Sequence, residues 1–410
     1  MPTNRRQFFG LLGAGVLAAA AGSPRRVHAV DVTTDAREAF AFDEDHVPMN
    51  AANLCPSPRR VAEAVTRYTS MIDADCSFQN RDRFNGLREE SRAAIAAPLG
   101  VSREEIALVR NTSEANNTVS AGIDLAPGDE IVLWEQNHPS NNVAWDVRAA
   151  RTGALVRRVR LPAAPTAVDD LLDPFLQELT PRTRVLAVTH ISNVSGLKVP
   201  VAALGEICRA RDIHFHIDGA QTWGAVDLNL RDVGCDSFSA SAHKWFMGPK
   251  EVGLLYVHEA AQERVWPSVV SYGWGADEES DLTGARKFES LGQRDDAALA
   301  ALADAAAMHK ALGPAAVEAH VTTLATRLKE GLAEADVPLV TPMSANFSGG
   351  VCIAAVAREQ RGALFEGLYR DFGIIAAPTG GLRLCPHVYN TKEHIDRAVA
   401  GAVSLRAKRT

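Results

Sequence analysis

Residues 213–257 read IHFHIDGAQTWGAVDLNLRDVGCDSFSASAHKWFMGPKEVGLLYV, and they contain the clearest structural signals of the chain. Apolar and polar residues alternate over 213–217, which predicts a short β-strand that runs up to Asp218. Gly219 follows at once and turns the chain out of the sheet. The Asp218 carboxylate is therefore expected at the carboxyl end of a strand, the edge at which α/β sheets bind ligands.

A second short run, over 235–240, leads into a loop that holds Lys244 among bulky apolar residues. Burial among such neighbours penalises the ammonium form of a lysine, so the neutral amine becomes available as a nucleophile. An acid at a strand end and a lysine on a following loop match the needs of pyridoxal 5'-phosphate (PLP). The lysine forms the Schiff base with this cofactor, and the acid pairs with the protonated pyridine nitrogen. The stretch thus predicts a PLP site built on Asp218 and Lys244.

Two segments, HIDGAQTWG at 216–224 and SAHKWFMGPKEVGLLYV at 241–257, resemble the class V aminotransferase group of PLP enzymes. This group includes cysteine desulfurases and isopenicillin N epimerase, and the resemblance covers nearly all of the chain after residue 40. It implies the α/β architecture of PLP fold type I, a seven-stranded mainly parallel sheet with helices on both faces and a smaller α+β domain. It also implies that Lys244 is the catalytic lysine and that Asp218 pairs with the cofactor ring.

Three other interpretations of this stretch stay open on the residues alone. His214, His216 and Asp218 alternate along one face of the predicted strand, as the ligands of a metal ion do. Ser241 and Lys244 spell S-x-x-K, the signature of serine acyl-enzymes, which would make the protein a periplasmic serine hydrolase, although no S-D-N or K-T-G follows. Lys244 would otherwise be an ordinary surface lysine. The resemblance to the class V group favours PLP over all three.

Seven short apolar runs, with helical segments between most of them, predict a mainly parallel sheet covered by helices on both faces. The runs span residues 106–109, 131–134, 154–159, 185–189, 213–217, 235–239 and 252–257. A chain of 410 residues is long enough for two domains. We predict a large PLP-binding domain over 59–287, a small C-terminal domain over 288–410, and an N-terminal segment, 30–58, that packs on the small domain.

The first 29 residues have the composition of an export signal. The pair Arg5-Arg6 precedes an apolar run, and small residues end the segment near Ala29. The pair indicates a twin-arginine signal peptide, and Arg25 and Arg26 just before the cleavage site favour this route over general secretion. Because the twin-arginine route carries folded proteins, PLP would be loaded before export to the periplasm. An N-terminal membrane anchor or a disordered tail is the alternative.

Charge and cysteine spacing narrow the classes of partner and cofactor. Cleavage would remove four arginines and no acids, which takes the formal net charge from −7 to −11. We therefore expect no nucleic-acid partner and no membrane association after cleavage. The cysteines show neither CxxC nor a metal-like spacing, so we expect buried free thiols and no metal site. The six are Cys55, Cys76, Cys208, Cys235, Cys352 and Cys385.

The resemblance assigns roles to further residues by their positions. At the start of a predicted helix, free N–H groups and hydroxyls favour an anion, and the cofactor phosphate is expected there. Each residue also has an ordinary structural alternative, as a helix cap, a turn residue or a salt-bridge partner. The implied roles are Thr112, Ser113, Ser241 and His243 for the phosphate, His138 stacked on the cofactor ring as a catalytic residue, Asn193 and Gln221 for the phenolic oxygen, and Arg383 and Asn53 for the substrate carboxylate.

Departures from the family bear on the reaction. Cysteine desulfurases carry a nucleophilic cysteine on the loop before the substrate arginine, whereas loop 372–380 has none, and Ala377 stands where those enzymes have an arginine. Desulfuration through a persulfide is therefore not expected. We predict an aminotransferase or an epimerase that acts on an amino acid or peptidyl amino acid through Lys244, with a C–S or other β-lyase as the alternative. Epimerisation needs a second proton donor, for which Tyr272 is a candidate.

Residues 286–295 match the loop that one subunit contributes to its neighbour's site in the family. The resemblance therefore implies a homodimer with shared active sites. Where desulfurases carry a threonine for the partner's phosphate, this chain has Gln293, so that particular contact is not carried over.

Overall fold

The structure is a computed structural model, and it describes residues 36–271 and 283–407. The predicted signal peptide and Tyr272 lie outside these residues. The strands of the described part are β1 Val47–Pro48, β2 Ile106–Val109, β3 Glu130–Trp134, β4 Leu155–Val159, β5 Thr183–Thr189, β6 His214–Asp218, β7 Ser237–Ser241, β8 Gly253–Val257, β9 Cys352–Ala354, β10 Ile374–Ile375 and β11 Leu382–Leu384. The helices are α1 Arg59–Ala74, α2 Phe78–Arg81, α3 Arg83–Ala96, α4 Thr112–Gly122, α5 Pro139–Thr152, α6 Asp169–Glu178, α7 Val201–Ala210, α8 Leu230–Val233, α9 Asp296–Leu312, α10 Pro314–Glu334, α11 Arg358–Phe372 and α12 Lys392–Ala407.

Seven strands form one sheet in the order β2-β8-β7-β6-β5-β3-β4. Strands β3 to β7 pair in parallel, whereas β8 is antiparallel to both of its neighbours, β2 and β7. The loop over 242–252 that joins β7 to β8 contains no helix, and parallel pairing would need a longer crossover. The predicted seven-stranded, mainly parallel sheet is therefore confirmed.

The central strands are buried on both faces, as expected for parallel strands that helices cover. In β3, Val132 and Trp134 enter one hydrophobic core, and Ile131 and Leu133 enter the core on the opposite face. Helices α3, α6, α7 and α9 contribute to the first core, and α4 and α5 contribute to the second. Two-sided burial explains why the sequence shows short continuous apolar runs.

The C-terminal residues form a smaller α+β part with an apolar core of their own. Strands β9 and β11 pair antiparallel, and β1 pairs in parallel with β10, so that Val47 lies opposite Ile374. The N-terminal residues Val47 and Met49 are fully buried in this core. The segment that precedes α1 thus packs on the C-terminal part. The predicted domain boundaries at residues 58 and 287 stay predictions.

The state of the cysteines and the length and hydropathy of the helices can be compared with the sequence analysis. All six cysteines are free thiols, and Cys76, which follows α1, is the exposed one; the other five are buried. The expectation of free thiols is confirmed, and burial holds for five of them. Within residues 36–271 and 283–407, no helix is both long enough and apolar enough to cross a membrane.

Candidate active site

Strand β6 ends at Asp218, between β5 and β7, and the predicted site residues converge at this edge of the sheet. Asp218 is only 1% exposed. Its Oδ1 accepts the backbone N–H of Ala220 at 3.0 Å, and its Oδ2 accepts an amide hydrogen of Asn116 at 3.0 Å. The sharp exit from the strand requires Gly219, because a Cβ there would lie 1.9 Å from Cζ of Phe238.

Lys244 lies on the loop between β7 and β8, partly open to the site, while its amine is set deep among protein atoms. Burial lowers the pKa of this amine, Asp218 raises the pKa, and Arg383 lowers it. Burial also lowers the pKa of His138, which interacts electrostatically with the same three charges. The structure therefore brings together four residues that the sequence assigns to one site.

Contacts on two sides fix the loop that carries Lys244. Oε1 of Gln221 accepts the indole N–H of Trp245 at 2.7 Å, and the Trp245 carbonyl accepts a hydrogen bond from Nε2 of His387 at 2.7 Å. Nε2 of Gln221 donates to the Ala52 carbonyl at 3.0 Å. Gln221 therefore ties the loop to the N-terminal segment, and one Nε2 hydrogen is left for the predicted bond to the phenolic oxygen.

Aromatic stacking fixes the next residue of this loop, Phe246. The rings of Phe246 and Trp223 are stacked with centroids 3.8 Å apart, and His309 stacks on Phe246 at 4.5 Å. His309 also donates from Nε2 to the Phe246 carbonyl at 3.0 Å. Met247 then has a φ of 53°, a left-handed conformation that costs a residue with a Cβ roughly 1–3 kcal/mol. The surrounding contacts hold the loop in a conformation that the local sequence disfavours.

A site suited to an anion forms where α4 begins. Asn111 caps the helix, and its side chain accepts the N–H of Glu114 at 3.0 Å. The backbone N–H of Thr112 donates to Oγ of Ser241 at 2.8 Å, and the two hydroxyls lie 2.7 Å apart. A helix N-terminus and two hydroxyls thus meet at one point, as in phosphate sites. Ser113 is exposed, and its phosphate contact stays a prediction.

The two predicted histidines are both half-buried. Nδ1 of His138 accepts the backbone N–H of Ser140 at 3.2 Å, so a neutral ring carries its proton on Nε2. Burial lowers the pKa of His243 to about 4, and the His243 carbonyl accepts the N–H of Cys55 at 2.9 Å. Both rings are therefore neutral near pH 7. The predicted stacking of His138 and the predicted phosphate contact of His243 are compatible with these positions.

Arg383, on β11, is only 4% exposed. It donates from Nη1 to the Asn193 carbonyl at 3.1 Å and from Nη2 to Oδ1 of Asn50 at 3.2 Å. Within the described residues, Nε of Arg383 and Oδ1 of Asn193 are buried without a hydrogen-bond partner. Since buried polar atoms are normally paired, these two atoms indicate a ligand site. Asn53 is exposed, and the residue that contacts Arg383 is Asn50.

The residues present fit PLP. The hydroxyls of Thr112 and Ser241 at the start of α4 would receive its phosphate, and Asp218 would receive its pyridine nitrogen. Lys244 would carry its aldehyde carbon. The unpaired Oδ1 of Asn193 leaves a polar group for the same ligand. The donor set therefore offers a phosphate site, an acid and an amine in the combination that this cofactor needs.

The two other chemistries considered for this stretch do not match the contacts. Nε2 of His214 and Nδ1 of His216 both bond to Oγ of Ser237, at 2.9 and 2.8 Å, so the protein itself occupies these ring nitrogens. In the part of the chain that the structure describes, no group of three or more His, Cys, Asp or Glu side chains could hold a metal ion. Ser241 uses its hydroxyl at the helix start, as described above, rather than with Lys244.

Sequence reasoning missed several residues that shape the site. Asn116 holds Asp218, and two adjacent asparagines inside a predicted helix are a weak signal for such a role, since asparagine is a poor helix former. Asn50 lies three residues before Asn53, and the sequence offers no means to choose between them. His387 and His309, which hold the loop of Lys244, carry no recognisable motif.

The chain matches the family model described as Aminotransferase class-V over residues 51–397. It is 30% identical to isopenicillin N epimerase of Streptomyces clavuligerus over 383 residues, which are 88% of this chain and 96% of that enzyme.

The fold is shared with solved structures, two of which each match at 23% sequence identity and a TM-score of 0.81. One is an apo cysteine desulfurase from Thermococcus onnurineus NA1, for which the match covers 91% of this chain and 98% of that chain. The other is a C-DES variant with glycine covalently linked to its PLP cofactor, for which the match covers 90% and 98%. The architecture is that of the PLP enzymes of fold type I. Because the family model spans most of the sequence, the protein belongs to the class V aminotransferase family and is a PLP-dependent enzyme.

Proposed function

We propose that the protein acts at the α-carbon and amino group of an amino acid or a peptidyl amino acid, with transfer of the amino group as its reaction. The observation that carries this proposal is the convergence of Lys244, Asp218 and Arg383. They provide a desolvated amine, a buried carboxylate, and a guanidinium whose buried Nε has no partner among the described residues. An amino acid presents the matching groups: an α-proton, an amino group and a carboxylate.

Each of these residues has a definite task in the proposed reaction. Arg383 binds the α-carboxylate, since a guanidinium donates to a carboxylate with good geometry. Lys244, whose pKa burial lowers, removes the α-proton and returns it. PLP, when bound, withdraws electrons from the α-carbon, and Asp218 supports this through the pyridine nitrogen. A single proton-moving group on one face makes amino transfer the simplest outcome.

The cysteines argue against desulfuration through a persulfide. Loop 372–380 has no cysteine, and Ala377 in this loop is bonded through its backbone to β11. Burial raises the pKa of Cys55 and of Cys352 to about 12, and it also raises the pKa of Cys385. Because the thiolate is the nucleophilic form, these buried thiols are inert near neutral pH.

Epimerisation is the second candidate, and the 30% identity to an isopenicillin N epimerase favours it. This reaction needs a proton donor on the face of the cofactor opposite Lys244. His138 is expected to stack on the ring, and Tyr272 lies outside the described residues. The choice between transfer and epimerisation therefore depends on the fate of the α-proton, which can be measured.

The first prediction concerns this reaction. Incubating the holoenzyme with candidate amino acids or short peptides should convert bound PLP to pyridoxamine 5'-phosphate and release a 2-oxo acid. Absorbance spectra and mass spectrometry of the products measure both. In deuterated water, racemised product with deuterium at the α-carbon and no pyridoxamine form would establish the epimerase. Release of pyruvate or ammonia from a β-substituted substrate would establish the β-lyase.

Two lysines of the same loop provide the control for this experiment. Lys244→Ala should lose the covalent bond to PLP and lower activity roughly 10²–10⁴-fold, as loss of a general base does. Lys250→Ala should keep the covalent bond to PLP and the full activity, since Lys250 is exposed and donates to Ser57 at 2.8 Å. Borohydride reduction followed by peptide mass spectrometry locates the modified lysine. Attachment of PLP to Lys250 would contradict the assignment.

The second prediction concerns Arg383. Arg383→Ala should weaken a substrate with a free α-carboxylate by about 2–5 kcal/mol, the range for loss of one partner of a buried charge pair. The same substrate as its α-amide should bind equally to both proteins, and the absorbance of bound PLP should not change. Steady-state kinetics on the acid and the amide give the comparison. Equal KM values for the free acid would show that the natural substrate presents no carboxylate here, as in a peptide-linked amine.

We also propose that the protein is a homodimer with shared active sites. Exposed apolar side chains flank α4. Val143 and Val147 are on α5, and Trp266 lies beside the end of α4, where the backbone N–H of Trp266 donates to the Gly122 carbonyl at 2.9 Å. The exposed Ser113 lines a cavity of about 410 Å³ at the start of the same helix. A second copy would cover these side chains and this cavity. Gln293 bonds to Arg81 of its own chain at 2.9 Å.

The third prediction tests this dimer. Trp266, 59% exposed, lies on the apolar surface, so Trp266→Asp should give a monomer with weakened PLP binding. Val168→Asp is the matched control, because Val168 is also exposed, at 49%, but lies at the start of α6. Sedimentation velocity of the two variants and the natural protein decides the question. A monomeric natural protein, or a dimeric Trp266→Asp variant, would refute the proposed interface.

The periplasm is the proposed location of the enzyme, on the basis of the first 29 residues. The fourth prediction is that replacing Arg5 and Arg6 with lysine strands the precursor in the cytoplasm, because twin-arginine recognition depends on the pair. Replacing Arg25 and Arg26 with lysine is the matched control. Like the first pair of replacements, it leaves the net charge unchanged, and it should leave the recognition intact. Cell fractionation with an antibody measures the distribution. Undiminished periplasmic protein in the first variant would overturn the proposal.

A further inference from the structure

A fully buried amide, that of Asn116, lies behind the acid of the site. Asn116 is on α4 and is 0% exposed. Its Nδ2 donates to Oδ2 of Asp218 at 3.0 Å and lies 3.4 Å from Oγ of Ser140. That hydroxyl is in turn 2.8 Å from Nδ1 of His138. One amide group therefore contacts Asp218 and, through the Ser140 hydroxyl, His138, and both of these residues are predicted to contact the cofactor ring.

The other end of the same amide is bonded as well. Oδ1 of Asn116 accepts the hydroxyl of Ser239 at 2.5 Å and lies 3.0 Å from Nε2 of His216. Nδ1 of His216 lies 2.8 Å from Oγ of Ser237, which lies 2.9 Å from Nε2 of His214. A continuous row of hydrogen bonds thus runs from His214 to the site.

Bonding rules fix the direction of every bond in this row. An ionised carboxylate only accepts, so Asn116 donates to Asp218 with its NH₂ group and accepts with its oxygen. His216 must then donate from Nε2, and its Nδ1 must accept. Ser237 therefore donates to His216 and accepts from Nε2 of His214. All the bonds point the same way, toward the Asp218 carboxylate.

The two histidines in the row are neutral, which the assignment requires. Burial lowers the pKa of His214 and of His216 to about 3 in each case. Both are inside the sheet, with His216 fully buried and His214 5% exposed. A neutral imidazole can pass a hydrogen bond from one nitrogen to the other, and aligned bonds in a dry interior polarise one another. The row therefore presents its positive end to Asp218.

We infer that Asn116 is a positioning residue that holds the Asp218 carboxylate oriented toward the pyridine nitrogen of PLP, as the last link of a one-way hydrogen-bond row from His214. This inference rests on the PLP cofactor and not on which reaction follows. It assigns a use to His214 and His216, which otherwise have none in the site. It also explains why a polar residue occupies a fully buried position on α4.

The test reads the protonation of the pyridine nitrogen in holoenzyme loaded with ¹⁵N-labelled PLP, without substrate. In the natural protein the ¹⁵N chemical shift should be that of a protonated ring. In Asn116→Leu it should move toward the unprotonated value, and the dissociation constant of PLP should rise roughly tenfold, as for loss of one hydrogen bond to a charged group. An unchanged ¹⁵N shift and dissociation constant in Asn116→Leu would overturn the inference.

A second variant covers the case in which Asn116→Leu does not fold. Ser237→Ala breaks the row at its middle and should shift the ¹⁵N signal in the same direction by a smaller amount. Ser91→Ala is its matched control, because Ser91 is an equally buried serine that bonds to Ala300 and Ala303 on α9. Both variants should lose similar thermal stability, whereas only Ser237→Ala should change the ¹⁵N shift. Equal shifts in the two variants, or none in Ser237→Ala, would overturn the row.

The result is independent of the proposed amino transfer. The nitrogen signal is read before any substrate is added, so an enzyme that proves to be an epimerase or a β-lyase gives the same expected spectrum. Conversely, confirmed amino transfer with an unchanged ¹⁵N shift in both variants would refute the role of Asn116 and leave the proposed function in place.

Discussion

The site depends on keeping an amine out of water. A lysine amine in water is protonated and cannot act as a nucleophile or a base, and burial lowers the pKa of Lys244. Burial alone would make the position unstable, and Asp218 offsets part of this cost by attraction. Asp218 is at the end of β6, and Lys244 is on the loop after the neighbouring strand β7. The two side chains meet because parallel strands end at one edge of the sheet. The geometry of the sheet and the chemistry of the lysine are thus two aspects of one arrangement.

Much of this fold could be predicted from the sequence, because its signals are local. The apolar runs that became β2, β3, β5, β6, β7 and β8 are short and continuous, which is the pattern of strands buried on both faces, whereas the edge strand β4 is partly exposed and carries Arg157 and Arg158. Asp218 and Lys244 stood out because one follows a strand and the other lies among bulky residues. The pairs that complete the site are not local. Asn116 meets Asp218 across 102 positions, and Asn50 meets Arg383 across 333.

Chain length between partners explains the misplaced and missed residues. Asn50 and Asn53 share a segment and a residue type, but Asn50 pairs with Cys385, two residues after Arg383, and this distant pairing brings its side chain to Arg383. The same holds for Gln221, whose amide links Trp245 to Ala52. A family pattern can indicate that such a residue matters. It cannot indicate how many of the residue's hydrogen bonds the protein uses for itself.

The contacts that hold the Lys244 loop have a consequence for the order of events during synthesis. The loop is fixed by Trp223 before it in the chain, by His309 after it, and by His387, which lies near the C-terminus. When the ribosome has just completed residue 244, two of these three partners do not yet exist. The lysine therefore reaches its working position only when the chain is almost finished, and retention of the cofactor marks a molecule that has been made and folded to its end.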